Sequence, residues 1–299
     1  MRCLLVLALL AGCATPTLHD RVTALARAHR GKVALYAHHL GTGATLELDP
    51  DREVKTASAI KLAVLVEAFH QVQAGTLDLG APIALRAADK VAGSGVLPLL
   101  HDGLELSVGD ALVLMIALSD NTATNLAIDR VGGVGAVNAR LASLGYRHTH
   151  LYKKIYVPAT EPMPDDQPRF GLGKTTPREL ARLMASIARC ELGDPALCRR
   201  MLAMLRGQQA RYLTARYLET ADTSETPSAI AAKLGELDAA RIEVALIAAR
   251  SGPIVIAAFT WDNVDQRYSP DNEAAILIAR LAEVIVRAWS PAGVRTGEP

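Results

Sequence analysis

The sequence has almost no net charge and no long apolar run. Its 32 basic and 31 acidic side chains leave a formal charge of +1, so the charge does not indicate nucleic acid or an anionic surface as a partner. No apolar stretch reaches the roughly 18 residues needed to cross a bilayer, and internal repeats and low-complexity tracts are absent. Half of the 299 residues are hydrophobic. These features predict a folded protein with a sizeable buried core.

Cysteine is scarce, with four in the whole chain. The first of them lies in MRCLLVLALLAGC, which is typical of a secretory leader because one arginine precedes a short apolar stretch and small residues. The ending LAGC resembles the lipobox of bacterial lipoproteins, which implies a leader over 1–12 and lipidation of Cys13. An ordinary leader with a chance cysteine is the alternative. We therefore expect an exported periplasmic or cell-surface protein that contacts the membrane only through a lipid anchor.

Two more cysteines, Cys190 and Cys198, would then form an even pair in an oxidising compartment. They flank a Gly-Asp-Pro turn between two helical patterns, which can bring their Cα atoms within disulfide range. We predict a disulfide between them, with two buried free thiols as the alternative.

Hydrophobic periodicity divides the chain into a helix, two strands, a helical block, three strands and a final helix. This order predicts an α/β layer, about 20–57 and 227–290, built on an antiparallel sheet with terminal helices. The segment 58–226 would form an all-α lobe, and both parts would belong to one domain over 13–299. A cleft between the two parts is the expected ligand site.

One candidate site begins at TASAIKLAVLVEAF, where Ser58 and Lys61 open an apolar helix. Residues three apart share a helix face about 5–6 Å apart, so the lysine nitrogen can reach the serine oxygen. Burial lowers the pKa of a lysine, which then accepts a proton. This spacing therefore favours an activated serine, although a capping serine followed by a surface lysine has the same pattern.

Two later motifs support that interpretation. The triplet SDN, with Ser119 and Asn121, directly follows an apolar helix and precedes another, so its side chains would have fixed positions. The segment KLGE, which begins at Lys233, ends a predicted strand, where backbone N–H groups and a lysine can face a carboxylate.

The set S-x-x-K, S-D-N and K-x-G, in this order, resembles the motifs of class A β-lactamases and penicillin-binding proteins. GSGVL at 93–97 and GKTTPRELARLM at 173–184 are also similar to this family, and the resemblance covers roughly Asp20 to Ser290. It implies a β-lactamase-like fold and a serine hydrolase for a small-molecule β-lactam or related acyl amide. We expect a monomer with no cofactor, no metal and no nucleic-acid partner.

The resemblance also implies a role for each motif residue. Ser58 would be the acylated nucleophile, and Lys61 its proton acceptor or relay. Ser119 would pass a proton to the departing nitrogen, while Asn121 would bind the side-chain amide of the substrate. Lys233 would orient Ser119 and the substrate carboxylate.

Three further positions follow from the same resemblance. The backbone N–H groups of Ser58 and Glu236 would form the oxyanion hole. Gly235, of the K-x-G motif, would border the bound substrate. Arg241, on the next strand, would assist in anchoring the substrate carboxylate.

The sequence departs from the family at two places. Leu234 replaces the hydroxyl residue of K-[TS]-G, and a lost hydrogen bond to a charged group weakens binding about ten- to a hundred-fold. Deacylation in class A enzymes uses an Ω-loop glutamate in an E-x-x-x-N pattern. Glu161 lies at about the right distance before Pro177, but Asp165 stands in place of the asparagine. Glu161 is therefore either the general base or a solvated loop carboxylate.

Three functions remain open at this stage. A working base predicts a β-lactamase, and a missing base predicts a penicillin-binding protein or D-alanyl-D-alanine peptidase with a long-lived acyl-enzyme. A lipoprotein that binds cell wall without turnover is the third. His148 and His150 lack the companion ligands of a metal site.

Overall fold

The computed structural model describes residues 15–159, 162–218 and 228–295. Its α-helices in these ranges are α1 (Leu18–Ala28), α2 (Lys61–Gln73), α3 (Val108–Ala117), α4 (Asn121–Arg130), α5 (Gly133–Ser143), α6 (Gln167–Phe170), α7 (Pro177–Ala188), α8 (Pro195–Arg206) and α9 (Glu273–Trp289). Its strands there are β1 (Lys32–His39), β2 (Thr45–Leu48), β3 (Val54–Lys55), β4 (Pro82–Ala84), β5 (Glu105–Ser107), β6 (His150–Leu151), β7 (Gly173–Thr175), β8 (Ile230–Leu237), β9 (Ala240–Ala249) and β10 (Gly252–Trp261).

Five strands form one antiparallel sheet in the order β2-β1-β10-β9-β8. The predicted grouping of two early and three late strands is therefore confirmed. Short turns join β1 to β2, β8 to β9 and β9 to β10, as antiparallel neighbours allow. This order leaves β8 at the edge of the sheet, beside the helical lobe.

Different helices pack on the two faces of this sheet. In β1, Ala34 and Tyr36 pack in the core shared with the helical lobe, while Leu35 and Ala37 face the terminal helices. Side chains alternate between the faces of a strand, so one strand serves both cores. Helix α9 packs on β9 and β10, and α1 packs against α9. The predicted α/β layer and separate helical lobe are thus confirmed.

Helix α2 is the centre of the helical lobe. Every residue from Lys61 to Phe69 is buried, because other helices surround this apolar segment. Two neighbouring helices begin with side-chain caps. The Ser107 side chain accepts from the Asp110 N–H at the start of α3, and Thr176 accepts from Glu179 at the start of α7. Strands β3 to β7 interrupt the lobe in two small sheets, and their two or three residues each are too short to show a periodicity.

The disulfide Cys190–Cys198 is present, with Cα atoms 5.6 Å apart, and joins the end of α7 to α8. Cys13 lies outside the described residues. Within the described ranges, no helix combines the length and apolar character that a membrane span requires.

Candidate active site

Ser58 lies in a short 3₁₀-helix, Ala57–Ile60, that leads directly into α2. The N–H groups at the start of a helix have no partner inside it, so this position offers backbone donors as well as a hydroxyl. Ser58 is partly exposed, whereas Ala57 and Ile60 are buried. The Ser58 side chain is therefore accessible to a ligand, while its neighbours in the 3₁₀-helix are buried.

Lys61 is completely buried, and its Nζ contacts the SDN motif. It donates to the Ser119 carbonyl at 2.6 Å, to Ser119 Oγ at 3.1 Å and to Asn121 Oδ1 at 3.0 Å. These three acceptors match the three protons of an ammonium group, and among the described residues Lys61 makes no hydrogen bond to Ser58. The expected Ser58–Lys61 hydrogen bond is therefore not formed in this arrangement, and Nζ is bonded to the SDN motif instead.

The electrostatics favour a neutral Lys61. Burial lowers the pKa of Lys61 well below its usual value, and the charge of Lys233 lowers it further, while the Asp120 carboxylate opposes the shift. A neutral amine has a lone pair that can accept the proton of Ser58 Oγ. The lowered pKa is consistent with the proton-acceptor role that the family resemblance implies for Lys61.

Ser119 bridges the two buried lysines. Its Oγ accepts from Lys61 at 3.1 Å and from Lys233 at 3.2 Å. Both lone pairs of the hydroxyl are then used, so its own proton is available to a third group in the cleft. Ser119 has a left-handed backbone (φ +54°), a conformation that costs free energy in a non-glycine residue and often marks a functional position.

Asp120 holds the SDN turn in place. It caps α4 through the Ala123 N–H and also accepts from the N–H groups of Val96 and Leu97, at 2.7 and 2.9 Å. Gly95 is required at this contact because a Cβ there would lie 2.2 Å from the Asp120 carboxylate. The neighbouring Asn121 also binds this loop through its backbone. The buried aspartate thus explains why GSGVL and SDN occur together.

Lys233 approaches the site from β8. Its side chain is completely buried and donates to Ser119 Oγ at 3.2 Å and to the Leu234 carbonyl at 2.8 Å. Burial lowers its pKa to about 7, although the Glu243 and Glu236 carboxylates oppose the shift. Lys233 is therefore a titratable group near neutral pH.

Gly235 lets β8 approach the serine helix closely. A Cβ on this residue would lie 2.6 Å from the Thr56 carbonyl and 2.9 Å from the Ala59 N–H. Only a glycine permits such a contact without displacing the backbone. The K-x-G motif therefore sets the distance between the strand and Ser58.

The N–H of Glu236 faces this same gap. Its cross-strand partner Arg241 donates its own N–H to Thr260 on β10, so the Glu236–Arg241 pair exchanges no ladder hydrogen bonds. The Glu236 N–H consequently points away from β9, towards the serine helix that packs against β8. This geometry is consistent with the predicted oxyanion hole of Ser58 and Glu236.

The structure places Arg241 behind the cleft and not in it. The side chain is fully buried, ion-paired with Glu236 at 3.1 Å, and bonded to the carbonyls of Ala240 at 2.8 Å and Arg267 at 2.6 Å. Its expected contact with a substrate carboxylate is therefore not available in this arrangement. Instead the guanidinium orients Glu236, which also accepts from the Tyr212 hydroxyl at 2.9 Å.

Leu234 lines the cleft and belongs to the hydrophobic core on the terminal-helix side of the sheet. Its side chain is 6% exposed. The hydroxyl of the family motif is thus replaced by an apolar group with a packing role.

One cleft of about 800 Å³ lies between β8 and the helical lobe. Its lining includes Ser58, Ser119, Asn121 and Leu234, together with apolar groups such as Ile155, Leu172 and Leu118. Among the described lining residues, Glu236 is the only carboxylate. Glu161 lies outside the described residues, and Asp165 is exposed and does not border the cleft.

Sequence reasoning missed Tyr156, Tyr212 and Tyr268, which all line the cleft. They lie outside every motif, and no periodicity distinguishes them. Tertiary folding alone brings them to the site.

Comparison with known proteins agrees with this geometry. The family model described as the Beta-lactamase enzyme family matches residues 17–289. A β-lactamase structure from Sphaerobacter thermophilus is 33% identical, with a TM-score of 0.77, and the match covers 89% of this chain and 96% of that one. A β-lactamase of Streptomyces fradiae is 27% identical over 90% of this chain and 85% of its own length.

A structure of PBP-A is 25% identical, with a TM-score of 0.75, and the match covers 91% of this chain and 95% of that one. The family match spans most of the chain, Ser58 and the SDN residues Ser119 and Asn121 border one cleft, and both lysines bind Ser119 Oγ. The protein therefore belongs to the Beta-lactamase enzyme family, whose members are serine hydrolases.

Proposed function

We propose that this protein opens the amide bond of a β-lactam, or of a related acyl amide, by forming an ester with Ser58. The observation that carries the proposal is the Ser119 hydroxyl held by Lys61 and Lys233 at 3.1 and 3.2 Å. The Ser119 hydroxyl thus links Lys61, the proposed proton acceptor for Ser58, to Lys233, a cation that can face a carboxylate. The adjoining cleft is large enough for a small molecule.

The reaction begins with the substrate carbonyl oxygen between the N–H groups of Ser58 and Glu236. Neutral Lys61 takes the Ser58 proton as Oγ attacks the carbonyl carbon. The carbon–nitrogen bond then breaks, and Ser119 delivers a proton to the departing nitrogen while Lys61 replenishes Ser119. Water must finally cleave the ester to free Ser58, with the acid as product.

The last step separates β-lactamase activity from the penicillin-binding alternative. Water needs a general base, and Glu236, the one carboxylate among the described lining residues, is already bound by Tyr212 and Arg241. The Ω-loop resemblance makes Glu161 the candidate for this base. Without it, the acyl-enzyme is long-lived, as in a penicillin-binding protein.

Intact-protein mass spectrometry over a time course with benzylpenicillin tests both steps. We expect an adduct in the wild type that clears as the drug is consumed, no adduct in Ser58→Ala, and a lasting adduct in Glu161→Gln. A lasting adduct in the wild type establishes penicillin-binding chemistry instead. The absence of any adduct refutes the proposal and leaves another acyl substrate, or a binding role that Ser58→Ala preserves.

We further propose that the protein is an exported lipoprotein anchored through Cys13. The disulfide Cys190–Cys198 supports this location, because such bonds persist in oxidising compartments. Growth of a producing bacterium with a palmitate analogue should label the wild type and not Cys13→Ser. Equal labelling of both proteins, or none of either, contradicts the proposal.

A further inference from the structure

Tyr156 holds an aromatic ring at the mouth of the cleft. Its side chain is 72% exposed, yet it lines the same cleft as Ser58 and Asn121. An exposed tyrosine alone has no functional meaning. The hydrogen bonds of the neighbouring residue, however, give Tyr156 a defined position.

The backbone of Tyr156 is rigidly placed. Its left-handed conformation (φ +55°) is unfavourable for a side chain of this size, and the preceding residue, Ile155, is held at both of its peptide groups. The Ile155 N–H donates to Asn125 Oδ1 at 2.8 Å, and Asn125 Nδ2 donates to the Ile155 carbonyl at 2.9 Å. Because Asn125 is buried on α4, the loop that carries Tyr156 is fixed to the helix that follows the SDN turn.

Gly93 lies between the ring of Tyr156 and the amide of Asn121, close to both. A Cβ added to Gly93 would lie 2.6 Å from Asn121 Nδ2 and 3.5 Å from Tyr156 Cε2. One proton of Nδ2 is donated to the Ala92 carbonyl, and the second is available to a ligand. The absence of a side chain at Gly93 leaves the space between the ring and the amide open.

A substrate amide bound by Asn121 would therefore place its acyl substituent near the ring of Tyr156. A second exposed ring, Tyr268, borders the cleft from the sheet side, with its hydroxyl 3.0 Å from Asp238 and its ring 4.9 Å from the Arg241 guanidinium. Two positioned aromatic rings suit an aromatic ligand better than a small aliphatic one.

We propose that Tyr156 determines specificity by stacking on an aromatic ring in the acyl substituent of the substrate. This inference rests on the proposed acylation of Ser58 and adds the substrate class. Tyr156 takes no part in the bond changes, so it affects which acyl amide reacts and not how it reacts.

Two penicillins provide the test: benzylpenicillin and 6-acetamidopenicillanic acid, which has the same nucleus and amide but a methyl group in place of benzyl. The second-order rate constant for Ser58 acylation is measured for each by mass spectrometry. We expect the benzyl-to-methyl ratio to fall roughly three- to tenfold in Tyr156→Ala and to be retained in Tyr156→Phe. Val264→Ala, which removes an exposed apolar side chain outside the cleft, should leave the ratio unchanged.

The outcomes distinguish the two proposals. Both penicillins could acylate the wild type, and the benzyl-to-methyl ratio could be the same in the wild type and in Tyr156→Ala. That result overturns the role of Tyr156 and leaves the proposed function intact. If the benzyl-to-methyl ratio falls as much in Tyr156→Phe as in Tyr156→Ala, the effect belongs to the hydroxyl, and stacking is overturned. If neither compound acylates the wild type, the proposed function fails, and the inference fails with it.

Discussion

At the scale of single residues, the site is controlled by two buried lysines with different tasks. Lys61 must be neutral to accept a proton, and burial together with the nearby Lys233 favours that form. Lys233 must be charged to face a carboxylate, and two carboxylates favour its charged form against the effect of burial. Because one lysine must be neutral and the other charged, the reaction rate should fall at both low and high pH, which gives the pH profile an acidic and an alkaline limb.

The alkaline limb provides a prediction for Lys233. Its pKa is about 7, so the charged fraction decreases tenfold for each pH unit well above that value. We expect kcat/KM for benzylpenicillin to fall with the same dependence. Lys233→Arg should move this limb to higher pH, because a guanidinium keeps its proton. A pH profile from 5 to 10 checks the prediction, and an unchanged limb in the variant would assign it to another group.

At the scale of elements, β8 positions the chemistry. Its outward N–H at Glu236 and the missing Cβ of Gly235 both face the serine helix, whereas Leu234 packs in the core on the terminal-helix side of the sheet. A single strand thus combines the oxyanion hole, the cation and part of the core. Any change at position 234 therefore affects binding and stability together.

Leu234→Thr separates these effects when compared with Leu234→Val. Threonine and valine have nearly the same shape, and both should lower the free energy of unfolding by roughly 1–3 kcal/mol because they leave space in the core, with threonine at the upper end because it also buries a hydroxyl. Only threonine restores a hydroxyl, which should raise kcat/KM for penicillins about tenfold over the valine variant. Steady-state kinetics and urea unfolding measure the two effects. Equal kinetics in both variants would mean that the hydroxyl does not reach the substrate.

At the scale of the whole molecule, the helical lobe and the sheet must remain joined because the site draws on both. The disulfide Cys190–Cys198 stabilises one end of the helical lobe, and neither cysteine borders the cleft. Stability and chemistry are therefore separable at this bond.

Reduction of the disulfide should lower the free energy of unfolding by about 2–3 kcal/mol, since the bond closes a short loop. The acylation rate at 25 °C should stay unchanged. Denaturant unfolding with and without dithiothreitol provides the measurement, and Cys190→Ser/Cys198→Ser, which has no bond to reduce, is the control. A reduced protein that loses acylation while still folded would show that the bond also positions the cleft.

The sequence alone identified Ser58, both lysines and the SDN turn as the candidate site, because each occupies a short contiguous motif next to a strong helix or strand pattern. It also predicted the order of strands and helices and favoured the disulfide, which the structure then confirmed. The sequence did not predict the small strands β3 to β7, because two or three residues do not establish a period.

Only the tertiary structure decided which partners the motif residues have. Lys61 binds Ser119 and Asn121 and not Ser58, and Arg241 lies behind Glu236 and not in the cleft. Tyr156 enters the site from a loop with no motif at all. These contacts join residues far apart in sequence, and their geometry depends on packing that no local pattern encodes.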